Sequence, residues 1–252
     1  MTIAVRLASS TDLESWNDFL FDQEGVPPYS DFRWKEVLET VYGVKPRFLI
    51  ASGPSGSVEG ILPVYINKSL RGRRRLYSLN RGLVASSVEA ESALVDWIRQ
   101  HWQELELSEA VISSRRKPQP EYGSCNSKSA IVLPLDTNPE ETWKRLRAKT
   151  RNMIRRAEKT GLIAESGFAN LRDFYKIYSD RMLSLGVPIY GFDLFQNIAK
   201  SFPDDSELIV ARLGDEIISG IFLIYGKQTA AYPFQATKSR HLGTAATQFL
   251  IW

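Results

Sequence analysis

The chain repeats itself at an offset of 160 residues, and this property constrains its fold more than any other. Residues 48–65, FLIASGPSGSVEGILPVY, lie without a gap over residues 208–225, LIVARLGDEIISGIFLIY. Ala51 falls on Ala211, Gly60 on Gly220, Ile61 on Ile221 and Tyr65 on Tyr225, while Leu49, Ile50 and Val58 meet Ile209, Val210 and Ile218. Each copy reads as two β-rich segments joined by a short Gly-containing turn, the pattern of a hairpin. Upstream, one helix is predicted from Thr11-Asp12-Leu13 and its counterpart from Asn170-Leu171, each with a small polar residue ahead of an apolar-periodic run. A second helix follows in both copies, with Phe32 over Phe192, Leu38 over Ile198 and Tyr42 over Phe202. The repeated unit is therefore helix, helix, hairpin, and two copies of it predict two tandem α/β domains.

After the first hairpin the pattern predicts a strand over Leu76–Val84 and a helix from Val88 to Leu105. Strands at Ala110–Ser113 and Ala130–Leu135 then flank a breaker-rich loop, RRKPQPEYGSCNSKS. After the second hairpin come AAYPFQAT, a strand, and a helix starting near His241, whose closing residues Phe249–Trp252 resemble Leu94–Trp97. No counterpart of residues 98–135 follows, so the second domain is expected to be truncated by roughly 40 residues or more. The expected domains are 1–138, and 139–252 with a junction helix at its start.

With 252 residues, 43% hydrophobic and 24% charged, the chain can fill a complete core in a globular fold. One cysteine, Cys125, excludes an internal disulfide framework and a Cys-rich metal site. His101 and His241 stand without a nearby carboxylate cluster, so no metal site is expected. The opening MTIAVRLASSTDLESW lacks a basic segment followed by an apolar one, and no apolar run approaches the ~18 residues that span a bilayer. A soluble cytoplasmic protein is the expectation.

The charge is distributed unevenly. Residues 143–161, WKRLRAKTRNMIRRAEKTG, hold eight Lys or Arg and one Glu, a surplus of seven, so with a whole-chain net of +3 the remainder sums to −4. Cationic character confined to one segment points to a site. Trp143, Leu146, Met153, Ile154 and Ala157 form an apolar stripe, and Lys144, Arg145, Lys149, Arg151, Arg155, Arg156 and Lys159 occupy the rest. The segment reads as one amphipathic helix, docked by its stripe and presenting its charge outward. A solvated charged face and a surface for a phosphate-rich ligand (RNA, a nucleotide-sugar or a phosphate headgroup) both fit this pattern. Independent membrane insertion fits less well, because the domain needs the apolar stripe for itself.

Past AAYPFQAT stands SRHLGTAA, which spaces Arg240, Gly243 and Ala245 as R-x-x-G-x-A. Small residues between a strand and a helix let backbone N–H groups approach a pyrophosphate, although they also permit close helix packing. A second basic cluster, Lys68, Arg71, Arg73, Arg74 and Arg75, follows the first hairpin and reads as a soluble edge. No nucleophile elbow, P-loop, paired-His helix or EF-hand spacing occurs, so a reaction that runs by positioning is favoured over covalent or metal catalysis.

Six segments resemble the FemAB-like (FemABX) acyltransferases, including a subgroup found with exopolysaccharide systems: YSDFRWKEVLETVYG, GILPVYINKSLRGRRRLYSL, KTRNMIRRAEKTGL, FYKIYSDRMLSLGVPIYGFDLF, LIVARLGDEIISGIFLIYG and SRHLGTAATQFLIW. The resemblance implies an α/β fold of two tandem GNAT-like domains, mixed central sheets flanked by helices. It implies transfer of an activated acyl group, from aminoacyl-tRNA or acyl-CoA as co-substrate, to an amine of a peptidoglycan, polysaccharide or other cell-envelope precursor. No permanently bound cofactor and no DNA partner are implied, and a peripheral membrane contact is left open. By position, Trp34 and Lys35 match the precursor-contacting segment, and Arg181 and Tyr190 a pattern of Arg followed by an aromatic at the domain junction. Arg240, Gly243 and Ala245 match the donor-binding turn, while Lys149, Arg151 and Arg155 are the basic-helix candidates for substrate phosphates. Tyr190 and Tyr232 are the candidate proton acceptors, on location, although aromatic strand residues usually pack. LNRGLVASS lacks the Gly-Gly or Gly-Pro ending of the family's first domain, and no coiled-coil arm is inserted between the domains. A non-catalytic RNA- or anion-binding protein of this fold and a plain acyl-CoA acetyltransferase are the rival readings.

Overall fold

The computed structural model describes residues 3–114, 116, 123 and 131–252. Two compact units are present, neither contiguous in sequence: Met1–Gln119 with Asp193–Asp205 and Ile224–Ala231, and Pro120–Phe192 with Ser206–Leu223 and Tyr232–Trp252.

The first unit contains β1 (Ala4–Leu7), α1 (Leu13–Phe21), α2 (Trp34–Tyr42), β2 (Arg47–Ser52), β3 (Val58–Lys68), β4 (Arg74–Ser78), β5 (Val84–Ala85), α3 (Val88–Gln100) and β6 (Leu107–Val111). Its sheet runs β1-β2-β3-β4-β6, with β5 on β3. The pairings are antiparallel except β4 with β6, which is parallel, as the crossover through α3 requires. Successive residues of β2 serve opposite faces. Phe48 stacks on Trp16 of α1 at 5.2 Å between centroids, whereas Leu49 and Ala51 join Leu62, Val64, Leu76 and, from α3, Ala90, Leu94 and Ile98. The single strand expected over residues 76–84 is two, β4 and β5. A turn closed by Gly82 N–H on the Leu79 carbonyl, with Arg81 at φ 53, separates them. Helix α3 stops at Gln100, earlier than expected, and His101 stacks on Trp97 just beyond it. Of the strand expected at 130–135, residue 130 lies outside the described residues and 131–135 form no strand. Cys125 and most of the breaker-rich loop also lie outside them.

In the rest of the chain come α4 (Pro139–Arg145), α5 (Ala148–Lys159), β7 (Leu162–Ser166), α6 (Leu171–Ser184), α7 (Phe192–Ser201), β8 (Ser206–Leu213), β9 (Glu216–Tyr225), β10 (Ala230–Thr237) and α8 (Ala246–Ile251). All but Phe192 of α7 belongs to the first unit. The second sheet runs β10-β9-β8-β7. Ala157 of α5, Ile218, Ile221 and Ala211 of the sheet, and Ala246 and Leu250 of α8 share one core.

The repeat is present as elements: a strand, two helices and a hairpin occur in both copies, the opening strands β1 and β7 adding to what the sequence pattern announces. The residue-by-residue overlay is correct only for the first strand of each hairpin. A Cβ on Gly60 would meet Leu94 of α3, but one on Gly220 would meet Phe174 of α6. Residues 53–57 join β2 to β3 and the Ala51/Ser52 register is bulged, whereas only Gly214 and Asp215 join β8 to β9.

The basic segment 143–161 is two helices rather than one. Leu146 and Arg147 are extended, with ψ of 143° at both, and break the chain between α4 and α5. The Arg151 guanidinium folds back over the break, donating to the carbonyls of Lys144 (2.9 Å) and Leu146 (2.6 Å), which α4 leaves without helical partners.

Candidate functional site

Among the described residues β10 stands at one end of the second sheet's order. Side chains two apart on a strand share a face, so Tyr232 and Phe234 point the same way. Phe234 is buried, and its ring lies edge-on to Tyr178 at 5.9 Å, Tyr190 at 5.8 Å and Phe222 at 6.0 Å. The Tyr175 hydroxyl donates to the Tyr190 carbonyl at 3.0 Å and so ties the loop after α6 to the helix. Burial pushes the Tyr178 phenol above its ordinary pKa. Tyr190 and Tyr232 are 50% and 46% exposed, leaving both phenols open to an incoming ligand.

At the other end of β10 a 3-10 turn over Ser239–Thr244 precedes α8, so the helix expected near His241 begins at Ala246. Ala245 takes a left-handed conformation, φ 59° and ψ 28°, between the two. A Cβ on Gly243 would meet nothing within 4 Å, so the backbone there faces open space. Arg156 of α5 donates to the Gly243 carbonyl at 3.0 Å, which links the basic helix to this turn. Glu216, at the start of β9, accepts from Lys238 at 2.6 Å and from Arg240, and His241 stands 3.4 Å away. The Arg240 and Lys238 hydrogen bonds hold the Glu216 carboxyl at a pKa of about 2. Below the turn, Ser219, Thr237 and Thr247 form a chain of hydroxyls at 2.7 and 3.0 Å that anchors β10 to β9 and α8. Glu216 and Lys238 carry no local motif, since the hairpin alone brings Glu216 to the turn. The Tyr175/Tyr178 pair was legible as FYKIY on one helix face.

Residues 144–252 match the family model described as an acetyltransferase (GNAT) domain. The crystal structure of FemX aligns over 98% of this chain and 84% of its own, with a TM-score of 0.77 at 15% identity. The chain has the fold of FemX. Two further solved structures cover 54% of this chain and 100% of their own: a ribosomal-protein-alanine N-acetyltransferase from Brucella melitensis biovar Abortus 2308 (TM-score 0.38, 16% identity) and a glucosamine-6-phosphate N-acetyltransferase from Arabidopsis thaliana (TM-score 0.37, 14% identity). No curated protein matches the sequence.

Within this fold the remaining expected site residues are spread over both units. Lys149 and Arg155 are exposed on α5, Arg155 over the Trp143 ring at 5.3 Å. Arg151 is engaged by the carbonyls of Lys144 and Leu146. Arg181, half-buried at the end of α6, has Ser184 Oγ at 3.4 Å. In the first unit Trp34 is a core residue, packed on Phe202 at 5.4 Å with its indole N–H on the Pro28 carbonyl, and Lys35 lies 5.8 Å from the Phe32 ring centroid. Pro28 lines a cavity of about 340 Å³ with Phe21, Asp31, Arg33, Asp205 and Lys227. Arg33, adjacent to the expected pair, is held between Asp31 (2.8 Å) and Asp205 (2.7 Å), which raise its pKa further. Among the described residues no group of three or more His, Cys, Asp or Glu could hold a metal, and no helix is long and apolar enough to cross a membrane.

Proposed function

We propose that the chain is an N-acyl or aminoacyl transferase acting on an amine of a cell-envelope, peptidoglycan or polysaccharide precursor in the cytoplasm, built as two GNAT-like domains over 1–138 and 139–252. One observation carries this reading: strand β10 has the exposed phenols of Tyr232 and Tyr190 at one end and an open glycine turn past the other. The stretch from Tyr232 to Thr237 spans roughly 17 Å of extended chain. An acyl carrier lying along β10 would set its phosphates at Arg240–Ala245 and its acyl end beside Tyr232 and Tyr190.

In this mechanism the acceptor amine attacks the donor carbonyl carbon. A C–N bond forms, the C–S bond of acyl-CoA or the ester C–O bond of aminoacyl-tRNA breaks, and the electron pair leaves with the carrier. Backbone N–H groups oppose the developing oxyanion charge. The amine proton passes to Tyr190 or Tyr232, directly or through water, and on to the departing carrier. Lys149 and Arg155 steer carrier phosphates. We assign acceptor binding to Arg181 in the second unit and to Lys35 in the first, where Trp34 supports the wall at Pro28.

A thermal-shift panel of acetyl-CoA, aminoacyl-tRNA and a UDP-linked peptide precursor tests the reading. A donor at a hundredfold its Kd would add about 2.7 kcal/mol to stability, and labelled acyl transfer to the precursor amine should follow. Binding of RNA irrespective of its charging, without any transfer, would favour a non-catalytic role. Transfer from acetyl-CoA to simple amines, with no response to tRNA, would favour a plain acetyltransferase.

A further inference from the structure

The tip between β3 and β4 is not used by the proposed reaction, and it carries an apolar side chain at the apex of the basic cluster. Leu70 is 108% exposed at its apex, flanked by exposed Lys68, Arg71 and Arg73. The tip is well formed: Ser69 N–H and Gly72 N–H close it on the Arg73 and Ser69 carbonyls, and Gly72 supplies the left-handed corner at φ 80°. Farther down, Arg74 and Arg75 are answered by Glu106 and Glu109 across the β4–β6 pair. Among the described residues no carboxylate pairs with Lys68, Arg71 or Arg73. Beside the tip lies a cavity of about 480 Å³ lined by Lys45, Arg47, Lys68, Arg74, Ile66 and Asn67, with four cations and no acid on its wall.

We propose that the β3–β4 tip docks on an anionic lipid bilayer, Leu70 entering the headgroup–acyl boundary, Lys68, Arg71 and Arg73 lying on the surface, and the Lys45/Arg47/Lys68/Arg74 cavity receiving one lipid phosphate. Charge complementarity selects the anionic surface. The apical leucine selects a bilayer over RNA, because an aliphatic side chain gives nucleic acid neither a stacking face nor a hydrogen bond. The proposal is independent of acyl transfer, since it concerns residues outside the β10 site.

Flotation of the chain with phosphatidylcholine vesicles, with and without phosphatidylglycerol, tests it. Binding is expected only to the anionic vesicles and should fall with added salt. The exposed triple variant Lys68→Glu, Arg71→Glu, Arg73→Glu should weaken it by about a hundredfold or more, and Leu70→Ser should weaken it with the charge unchanged. Circular dichroism of each variant checks that the fold is retained. Charge reversal on α5 (Lys149→Glu, Arg155→Glu) serves as the comparison. The proposal is overturned if anionic vesicles are not bound, if the α5 variant abolishes binding while the tip variants do not, or if Leu70→Ser is silent and RNA displaces the vesicles.

Discussion

Gly220 of β9 sits directly beneath Phe174 of α6: a Cβ at this glycine would stand 2.5 Å from Phe174 Cδ2 and 3.0 Å from Cε2. Phe174 is fully buried in the aromatic layer that also holds Tyr178 and Phe234, so it has no room to retreat. Gly220→Ala is therefore expected to cost about 1–3 kcal/mol, read as a lower denaturant midpoint. Gly60→Ala should cost less, because its nearest neighbour, Leu94 Cδ1 at 3.0 Å, ends a more flexible side chain.

The Glu216 cluster makes an acid-sensitive latch on the turn after β10. Its folded pKa of about 2 lies below the ordinary value of 4.5, so its stabilisation is complete above the ordinary value and is lost as pH falls toward the folded one. Asp12, lowered by Arg6, contributes in the same direction. Glu216→Gln should flatten the stability-against-pH curve between those limits while leaving Asp12's share intact. Thermal melts at a series of acid pH values check this, and an unchanged slope would refute the latch.

Arg151 should behave as a structural residue. Arg151→Ala removes the donors from the α4 carbonyls and is expected to cost about 1–2 kcal/mol. Arg151→Lys should restore little of it, since one ammonium cannot reach several carbonyls as a guanidinium fork does. Denaturant titrations of both variants measure the loss, while affinity for phosphate-bearing ligands should stay near that of the parent chain. A selective loss of ligand affinity at unchanged stability would return Arg151 to the binding surface.

Much of this was legible in the sequence where local pattern and burial agree. The pairing of helix, helix and hairpin was readable because Leu49, Ala51, Ile209 and Ala211 occupy the same face in both copies. What lay beyond the pattern came from contacts made at a distance. Nothing around Leu146-Arg147 announces a helix break; it depends on a guanidinium four residues downstream of Arg147. A gapless overlay hides that Gly220 faces Phe174 whereas Gly60 faces Leu94. Of the candidate site, Arg240–Ala245 was found as a motif, but its Glu216 counter-charge arrives from the far side of a hairpin.

Trp34 lies at the boundary between core and site. Its indole fills space against Phe202 and Tyr29, and its N–H satisfies the Pro28 carbonyl at the cavity wall. Trp34→Ala should cost about 3–5 kcal/mol through the void it leaves. Trp34→Phe keeps much of the packing and removes the N–H, so it should mainly loosen the wall. In a transfer assay that would raise KM for the acceptor with kcat little changed. A collapse of kcat at an unaltered KM would instead mean that the indole reaches the reacting atoms.

The two exposed phenols can be separated by single-atom changes. Tyr190→Phe and Tyr232→Phe keep both rings, that of Tyr190 against Phe234, and delete only the hydroxyls, so the fold should tolerate both. The phenol that carries the amine proton should lose about 10²-fold or more in kcat when removed, because general acid–base catalysis typically contributes that much, with KM for the donor unchanged. The other should stay within a few-fold of the parent, and the pH profile of kcat should flatten only in the first variant. Full activity in both single variants and in the double variant would exclude the phenols from proton transfer and leave solvent, held beside β10, as the base.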